Sequence, residues 1–309
     1  MTDPTKAALT LWGMEEAQCT LIAQRENRVY KVTHGAAAYA LRFKRPGYHT
    51  SAELASELDW LAAMDQAGLN VPLPIASQNG HLLECVEGHH VDLVTWLEGA
   101  PIGQTRVPLA LENPVETFHA IGAEMAKLHL ACDNWSLPEG FTRCRWDAAG
   151  LVGDAPVWGR FWENPTLDPQ TKELLQEFRA QAKQDLDTGQ FDTGLIHADM
   201  VRENVLLDGD RLALIDFDDS GFGYRLFDVA TALLKNRSEP QYPTLQAALL
   251  DGYLALRNLD MTALDLFLAL RAVTYVGWIV PRMAEPGAEE RNARFIQDAQ
   301  ALCAAYLAR

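Results

Sequence analysis

Hydrophobic positions in the first third of the chain fall in short runs with β-branched and aromatic content, the pattern of strands. Cys19–Gln24, Arg28–Thr33 and Ala38–Lys44 are three such runs, and His34-Gly35 predicts the turn between the second and third. One helix interrupts them: Leu54, Leu58, Leu61 and Met64 share a face of Ala52–Ala67, Thr50 or Ser51 can cap it, and Gly68 stops it. Val71–Ile75 contains two prolines, which disfavour helix in the residues before them, so this stretch reads as extended. His81–Val86 and Val91–Trp96 flank Glu87-Gly88-His89-His90 and predict a hairpin.

After Gly99 the hydrophobic period lengthens to that of helices. Val115–Ala131 carries Ile121, Met125, Leu128 and His129 on one side. Helices follow over Thr171–Leu186, Phe227–Leu234, Tyr242–Leu256, Thr262–Met283 and Arg291–Leu307. Asn134–Pro169 is rich in Trp and Gly with weak periodicity, which suits a lid or binding loop. The change of period near Glu98–Pro101 predicts a hinge. The expected molecule is α+β: a small lobe over residues 1–98 with an antiparallel sheet and one helix, and a larger, mostly helical lobe over residues 99–309.

Composition narrows the function. The 309 residues are 48% hydrophobic and 22% charged, an ordinary globular balance for one or two domains. A formal net charge of −16 argues against nucleic acid as partner, because phosphates call for a basic surface. It is compatible with a cationic small substrate, although solubility alone accounts for an acidic surface. Cys19, Cys85, Cys132, Cys144 and Cys303 are scattered without C-x-x-C spacing, so neither a disulfide framework nor a zinc site is expected. The segment after Met1 has no apolar targeting core, and charges break the longest apolar patches short of membrane-spanning length. These features predict a cytoplasmic protein without a membrane partner, as a monomer or homodimer.

The densest chemistry lies in Gly194–Asp219. His197, Asp199 and Asn204 form H-x-D-x-x-x-x-N, and Asp216 closes the apolar run Leu212–Ile215. Phosphoryl transfer from a metal nucleotide needs one carboxylate to orient the attacking hydroxyl, with an amide oxygen and a second carboxylate to hold metal ions. Asp199 suits the first role; Asn204 and Asp216 suit the others. Val205–Leu207 and Arg211–Ile215 about Asp208-Gly209-Asp210 read as a hairpin, which would bring residues 204 and 216 to neighbouring positions. His197 admits two readings, a packed support of the loop and a proton shuttle.

With these motifs the chain resembles the aminoglycoside phosphotransferase superfamily, small-molecule kinases with a bilobal protein-kinase-like fold. Type II homoserine kinases, choline kinases, hydroxylysine kinases and a bacterial stress-response kinase belong to that group. The resemblance covers nearly the whole chain and is strongest in Ile196–Asn204, Leu214–Asp219 and Gly223–Leu233. It implies ATP and Mg2+ as cofactors, Asp199 as catalytic base or hydroxyl-orienting group, Asn204 and Asp216 as magnesium ligands, and Asp228 as a brace of the catalytic loop. Arg25-Glu26-Asn27-Arg28 stands where protein kinases have a glycine-rich loop, and the absence of glycine fits a small-molecule kinase better than a protein kinase. Arg42 occupies the phosphate-contacting position, with Lys44 of the same strand parity as the alternative; Glu57, then Glu53, is the acidic partner. Thr95, Trp96 and Leu97 lie in the segment whose backbone would meet adenine.

The acceptor is less specified. Phe141–Trp162 holds Arg143, Arg145, Trp146, Asp147, Trp158 and Trp162, while Tyr275, Trp278 and Arg282 lie on a late helix. Arginines suit a substrate carboxylate, and aromatics with acidic neighbours such as Asp218 suit an ammonium. The tryptophans serve equally well as packing. The wording of His197–Leu206 looks most like the homoserine kinase and stress-response kinase branch. The expected acceptor is the hydroxyl of a small amino-acid or amino-alcohol metabolite, homoserine first and hydroxylysine, choline or an aminoglycoside after it. A serine/threonine protein kinase and a non-catalytic nucleotide-binding module are the alternatives.

Overall fold

The computed structural model describes residues 4–24 and 27–309. A short helix α1 (Pro4–Thr10) precedes strands β1 (Gln18–Gln24), β2 (Arg28–His34) and β3 (Ala37–Phe43), helix α2 (Ser51–Gln66), and strands β4 (Leu83–Val86) and β5 (His89–Thr95). A two-residue strand, β6 (Ala100–Pro101), leads to α3 (Pro114–Asn134), β7 (Cys144–Trp146), α4 (Ala148–Val152), α5 (Pro169–Thr188) and β8 (Thr193–Ile196). The chain continues with β9 (Val205–Asp208), β10 (Arg211–Leu214), β11 (Gly221–Tyr224), α6 (Arg225–Leu234), α7 (Tyr242–Leu254), α8 (Leu264–Trp278) and α9 (Ala288–Leu307). Contacts group these elements into two units. The first holds residues 1–100, 134–143 and 205–218; the second holds the remainder.

In the first unit, five strands form an antiparallel sheet in the order β1-β2-β3-β5-β4. Side chains alternate across it. Val32, Leu41, Phe43, Val91 and Leu93 pack with Ala8, Leu9 and Trp12, while Ala40 and Val94 pack with Leu58 of α2. The same parity places Arg42 and Lys44 on the side that faces α2, and register sets Arg42 opposite Asp92 of β5. Thr50 caps α2 reciprocally with Glu53, resolving the choice between Thr50 and Ser51. Helix α1 had no local signal. It is seven residues long and is held by burial of Ala8 and Leu9. The β9–β10 hairpin pairs Asp208 with Arg211 and Val205 with Leu214, so its turn is Gly209-Asp210.

The second unit is built around α8, nearly every residue of which is buried. Its span Leu264–Arg282 has a mean hydropathy of 1.4 and membrane-spanning length, but 78% of that window lies inside the protein. This corrects the expectation that charges break every apolar stretch: Asp265 and Arg271 interrupt this one without ending it. A small sheet runs β7-β11-β8, with β11 parallel to β7 and antiparallel to β8. Strand β11 was invisible to pattern because Gly221 and Gly223 weaken strand propensity. A Cβ at Gly221 would lie 2.3 Å from the Cys144 carbonyl oxygen, so close pairing with β7 requires glycine there.

The Trp-rich connection is also corrected. Trp146, Trp158, Phe161 and Trp162 are buried packing residues of the second unit, not the side chains of an open lid. Trp146 stacks on Phe227, with ring centroids 5.3 Å apart. The connection can approach α8 because Gly277 lacks a Cβ, which would stand 2.6 Å from the Trp158 carbonyl oxygen.

Candidate active site

In the first unit, strand alternation converges two cations and three carboxylates under α2. Arg42 donates through Nε to Asp92 at 2.5 Å and through Nη1 to Glu57 at 2.9 Å. Lys44 donates to both Glu57 oxygens at 3.2 and 3.0 Å and to Asp218 at 3.3 Å. Glu57 and Asp92 are wholly buried. Burial alone would raise the Glu57 carboxyl, but Lys44 and then Arg42 outweigh it and hold it down at about 2. Burial likewise opposes ionisation of Asp218, yet Lys44, His49 and Asn27 keep it well below the usual carboxylate range. Asp92 escaped the sequence reading. Its signal was one charge inside the apolar run Val91-Asp92-Leu93-Val94.

The expected nucleotide residues are placed in this unit. Arg25 and Glu26 lie outside the described residues. Asn27 donates to Asp218 at 3.1 Å and accepts from the Arg45 N–H at 2.9 Å. The Thr95 and Trp96 N–H groups already donate to Leu73 and Ala38 carbonyls, whereas the Leu97 N–H has no backbone partner among the described residues. Glu53, the second choice as acidic partner, is used in the α2 cap.

Two acceptor candidates change role here. Arg143 is buried and donates to the carbonyls of Glu53 at 3.0 Å, Phe217 at 2.9 Å and Asp218 at 2.6 Å. It fastens the aspartate-rich turn to α2, so its guanidinium is committed to backbone and not to a substrate carboxylate. Asp218 faces Lys44 and not an acceptor ammonium. Asp216, beside it, adopts a left-handed backbone with φ of 64°.

In the second unit, Asp199 follows β8 on a loop braced by Asp228. The Asp228 carboxylate accepts from the His197 N–H at 2.8 Å and the Ala198 N–H at 2.6 Å. His129 approaches Asp228 through Nε2 at 3.1 Å, and Tyr253 Oη lies 2.8 Å from its Nδ1. Burial lowers His129 to about 4, so it is neutral, donating to Asp228 and accepting from Tyr253. This support holds Ala198 at φ of 62°, a conformation that strains a non-glycine residue. His197 is buried, with Nδ1 3.3 Å from the Asp199 N–H. That position suits a loop support and not a proton shuttle.

Asp199 itself is pinned from two directions. Arg271 Nη2 donates to Oδ1 at 2.8 Å, and Asn204 Nδ2 donates to Oδ2 at 2.9 Å. Arg271 also donates to Tyr275 Oη at 2.9 Å and lies between aromatic neighbours, 4.5 Å from the centroids of both Trp158 and Tyr275. Neither Arg271 nor Lys235, whose ammonium is 3.8 Å from the Tyr275 centroid, was singled out by sequence. Trp146, offered as an acceptor contact, instead donates its Nε1–H to the Asp219 carbonyl at 2.8 Å. Trp278 stays partly accessible beneath Arg282, 4.1 Å from its ring centroid.

An antiparallel-sheet unit with a buried cation–glutamate pair, and a helical unit presenting a braced H-x-D loop, define a small-molecule kinase. A model of the phosphotransferase enzyme family APH matches residues 18–267, and the chain belongs to that family. It is 30% identical over 239 residues to a homoserine kinase of Methylobacillus glycogenes, covering 75% of this chain and 69% of that one. Three further homoserine kinases align over only 51–57% of their own length. The structure of a microcompartment-associated aminopropanol kinase superposes with a TM-score of 0.86 at 27% identity, covering 98% of this chain and 97% of the other. An amicoumacin kinase in complex with AMP-PNP, Ca2+ and Ami shares the fold, with a TM-score of 0.78, 20% identity, and 96% and 92% coverage.

Proposed function

We propose that this kinase transfers the γ-phosphoryl group of ATP to the hydroxyl of a small hydroxy amino acid or amino alcohol, with homoserine as the first acceptor. The observation that carries the reading is the double anchoring of Asp199, which fixes a carboxylate where a hydroxyl can be oriented without further ordering. The acceptor oxygen bonds to the γ-phosphorus as the bond to the β,γ-bridging oxygen breaks. ADP leaves, and the hydroxyl proton passes to Asp199.

Arg42 would contact the nucleotide phosphates. Its side chain keeps 11% of its surface accessible, against 3% for Lys44. The Leu97 N–H, which has no backbone partner among the described residues, would meet the adenine edge with the neighbouring Thr95 and Trp96 backbone. Magnesium usually takes one or two protein oxygens plus substrate phosphates and water. Asn204 fits this role, because Nδ2 is engaged with Asp199 while its hard amide oxygen takes no hydrogen bond among the described residues. Asp216 would be the second ligand. When bound, the ion neutralises charge on the transferring phosphates.

The test is ADP formation with homoserine, hydroxylysine, choline, ethanolamine, aminopropanol and an aminoglycoside. Homoserine or aminopropanol turnover that requires Asp199 is the expected result; turnover of none would sink the proposal. Labelled phosphate appearing on the protein itself, with no metabolite modified, would favour a protein kinase.

A further inference from the structure

In the second unit a cation linked to Asp199 through Tyr275 and Arg271 has no side-chain acceptor among the described residues. Lys235 ends α6, and its ammonium rests 3.8 Å from the Tyr275 ring centroid and 4.8 Å from that of Phe295. It makes no hydrogen bond and no ion pair among the described residues. Burial, then repulsion from Arg271, lowers it to about 8, while Asp199, Asp298 and Glu203 act in the opposite sense from a distance. Tyr275 links the group to the reaction centre, because its Oη accepts from Arg271 Nη2, the same nitrogen that donates to Asp199. Arg271 is fully buried: its Nη2 is bound to Asp199 and Tyr275, while its Nε and Nη1 have no hydrogen-bond partner among the described residues and are closed off from solvent. Lys235, half-buried where Arg271 is wholly buried, is therefore the cation of this cluster that a ligand can reach.

A half-buried ammonium on aromatic faces keeps donors that those faces do not satisfy, and a hydrogen-bonding anion can take them. We propose that Lys235 receives a carboxylate of the acceptor, so that this kinase selects hydroxy amino acids over amino alcohols of the same length. The inference rests on the phosphotransfer reading above and narrows its acceptor. An amino alcohol lacks that carboxylate and would leave Lys235 unpaired.

L-homoserine and 3-amino-1-propanol differ by the carboxylate alone and make the matched pair. The wild-type protein is expected to favour homoserine in kcat/KM by roughly ten- to hundredfold, the value of one charge-assisted contact. Lys235→Met should raise the KM for homoserine and bring that ratio toward one, and Lys235→Arg should keep the preference. A wild-type ratio near one, a preference for 3-amino-1-propanol, or equal loss on both acceptors in Lys235→Met would overturn the assignment while leaving phosphotransfer intact. If neither acceptor is turned over, calorimetric titration with homoserine decides. Binding that weakens at least tenfold in Lys235→Met supports the subsite, and absent or unaltered binding overturns it.

Discussion

Asp92 shows how a single residue decides the electrostatics of the first unit. Glu57 is shared between Arg42 and Lys44, and Asp92 adds a buried carboxylate from the adjacent strand that accepts from the Arg42 Nε–H. Removing one partner of such a network leaves a buried charged donor without its acceptor. Asp92→Ala is therefore expected to lower the unfolding free energy by about 3–5 kcal/mol in urea titrations. Glu163→Ala, which breaks the exposed Arg160 pair, should cost under about 1 kcal/mol. Similar loss in both variants would show that the buried cluster is not structural. At Asp199, Asn keeps the shape but cannot take a proton. Asp199→Asn should reduce turnover by roughly 10²–10⁴-fold in a steady-state assay, and a loss under tenfold would remove Asp199 from its role. Asp199 and Asn204 were legible from their short spacing, and Arg42 and Glu57 from the family resemblance. Asp92, Arg271 and Lys235 were not, because their partners lie 50, 72 and 40 residues away on elements whose register is not a local property.

At the scale of elements, the loop that carries Asp199 depends on α6 and α3. Asp228, in the first turn of α6, spends its carboxylate on two loop N–H groups, and His129 of α3 holds that carboxylate from the other side. Neutral His129 is what the burial favours: its value falls from 6.5 to about 4. A depressed value means that the folded state resists binding a proton which the unfolded chain accepts. The contribution is complete above pH 6.5 and is lost as pH falls from about 6.5 toward 4, at up to about 1.4 kcal/mol per pH unit. Unfolding in urea at pH 7.0, 6.0 and 5.0 should trace this loss, and His129→Gln, which does not titrate, should flatten it. Identical slopes in the two proteins would dismiss His129 as the source. Helix α3 itself was readable from its apolar stripe, and His129 fell on that stripe. Its bond to Asp228 could not be read, since it joins elements 99 residues apart.

At the scale of the molecule, each unit carries a different share of the proposed reaction, and ligand-linked stability can separate the shares. A ligand that binds only the native protein stabilises it by RT ln(1 + [L]/Kd), about 2.7 kcal/mol at a hundredfold excess over Kd. The hydrophobic period announced an N-terminal β-rich part and a helical remainder. Local pattern gave no sign that residues 134–143 and 205–218 pack with the N-terminal part, because that choice is made by contacts such as those of Arg143 with Glu53, Phe217 and Asp218. As a result Asp216 belongs to the unit that would hold the nucleotide, and Asp199 to the unit that would orient the acceptor. Asn tolerates the left-handed backbone that Asp216 adopts, so Asp216→Asn removes the charge with little backbone cost. Differential scanning calorimetry with ATP should then give a magnesium-dependent rise in melting temperature for the wild type and for Asp199→Asn. In Asp216→Asn the shift with magnesium should shrink to that seen in EDTA. A magnesium-dependent shift retained in Asp216→Asn, or lost in Asp199→Asn, would exchange the roles assigned to the two aspartates.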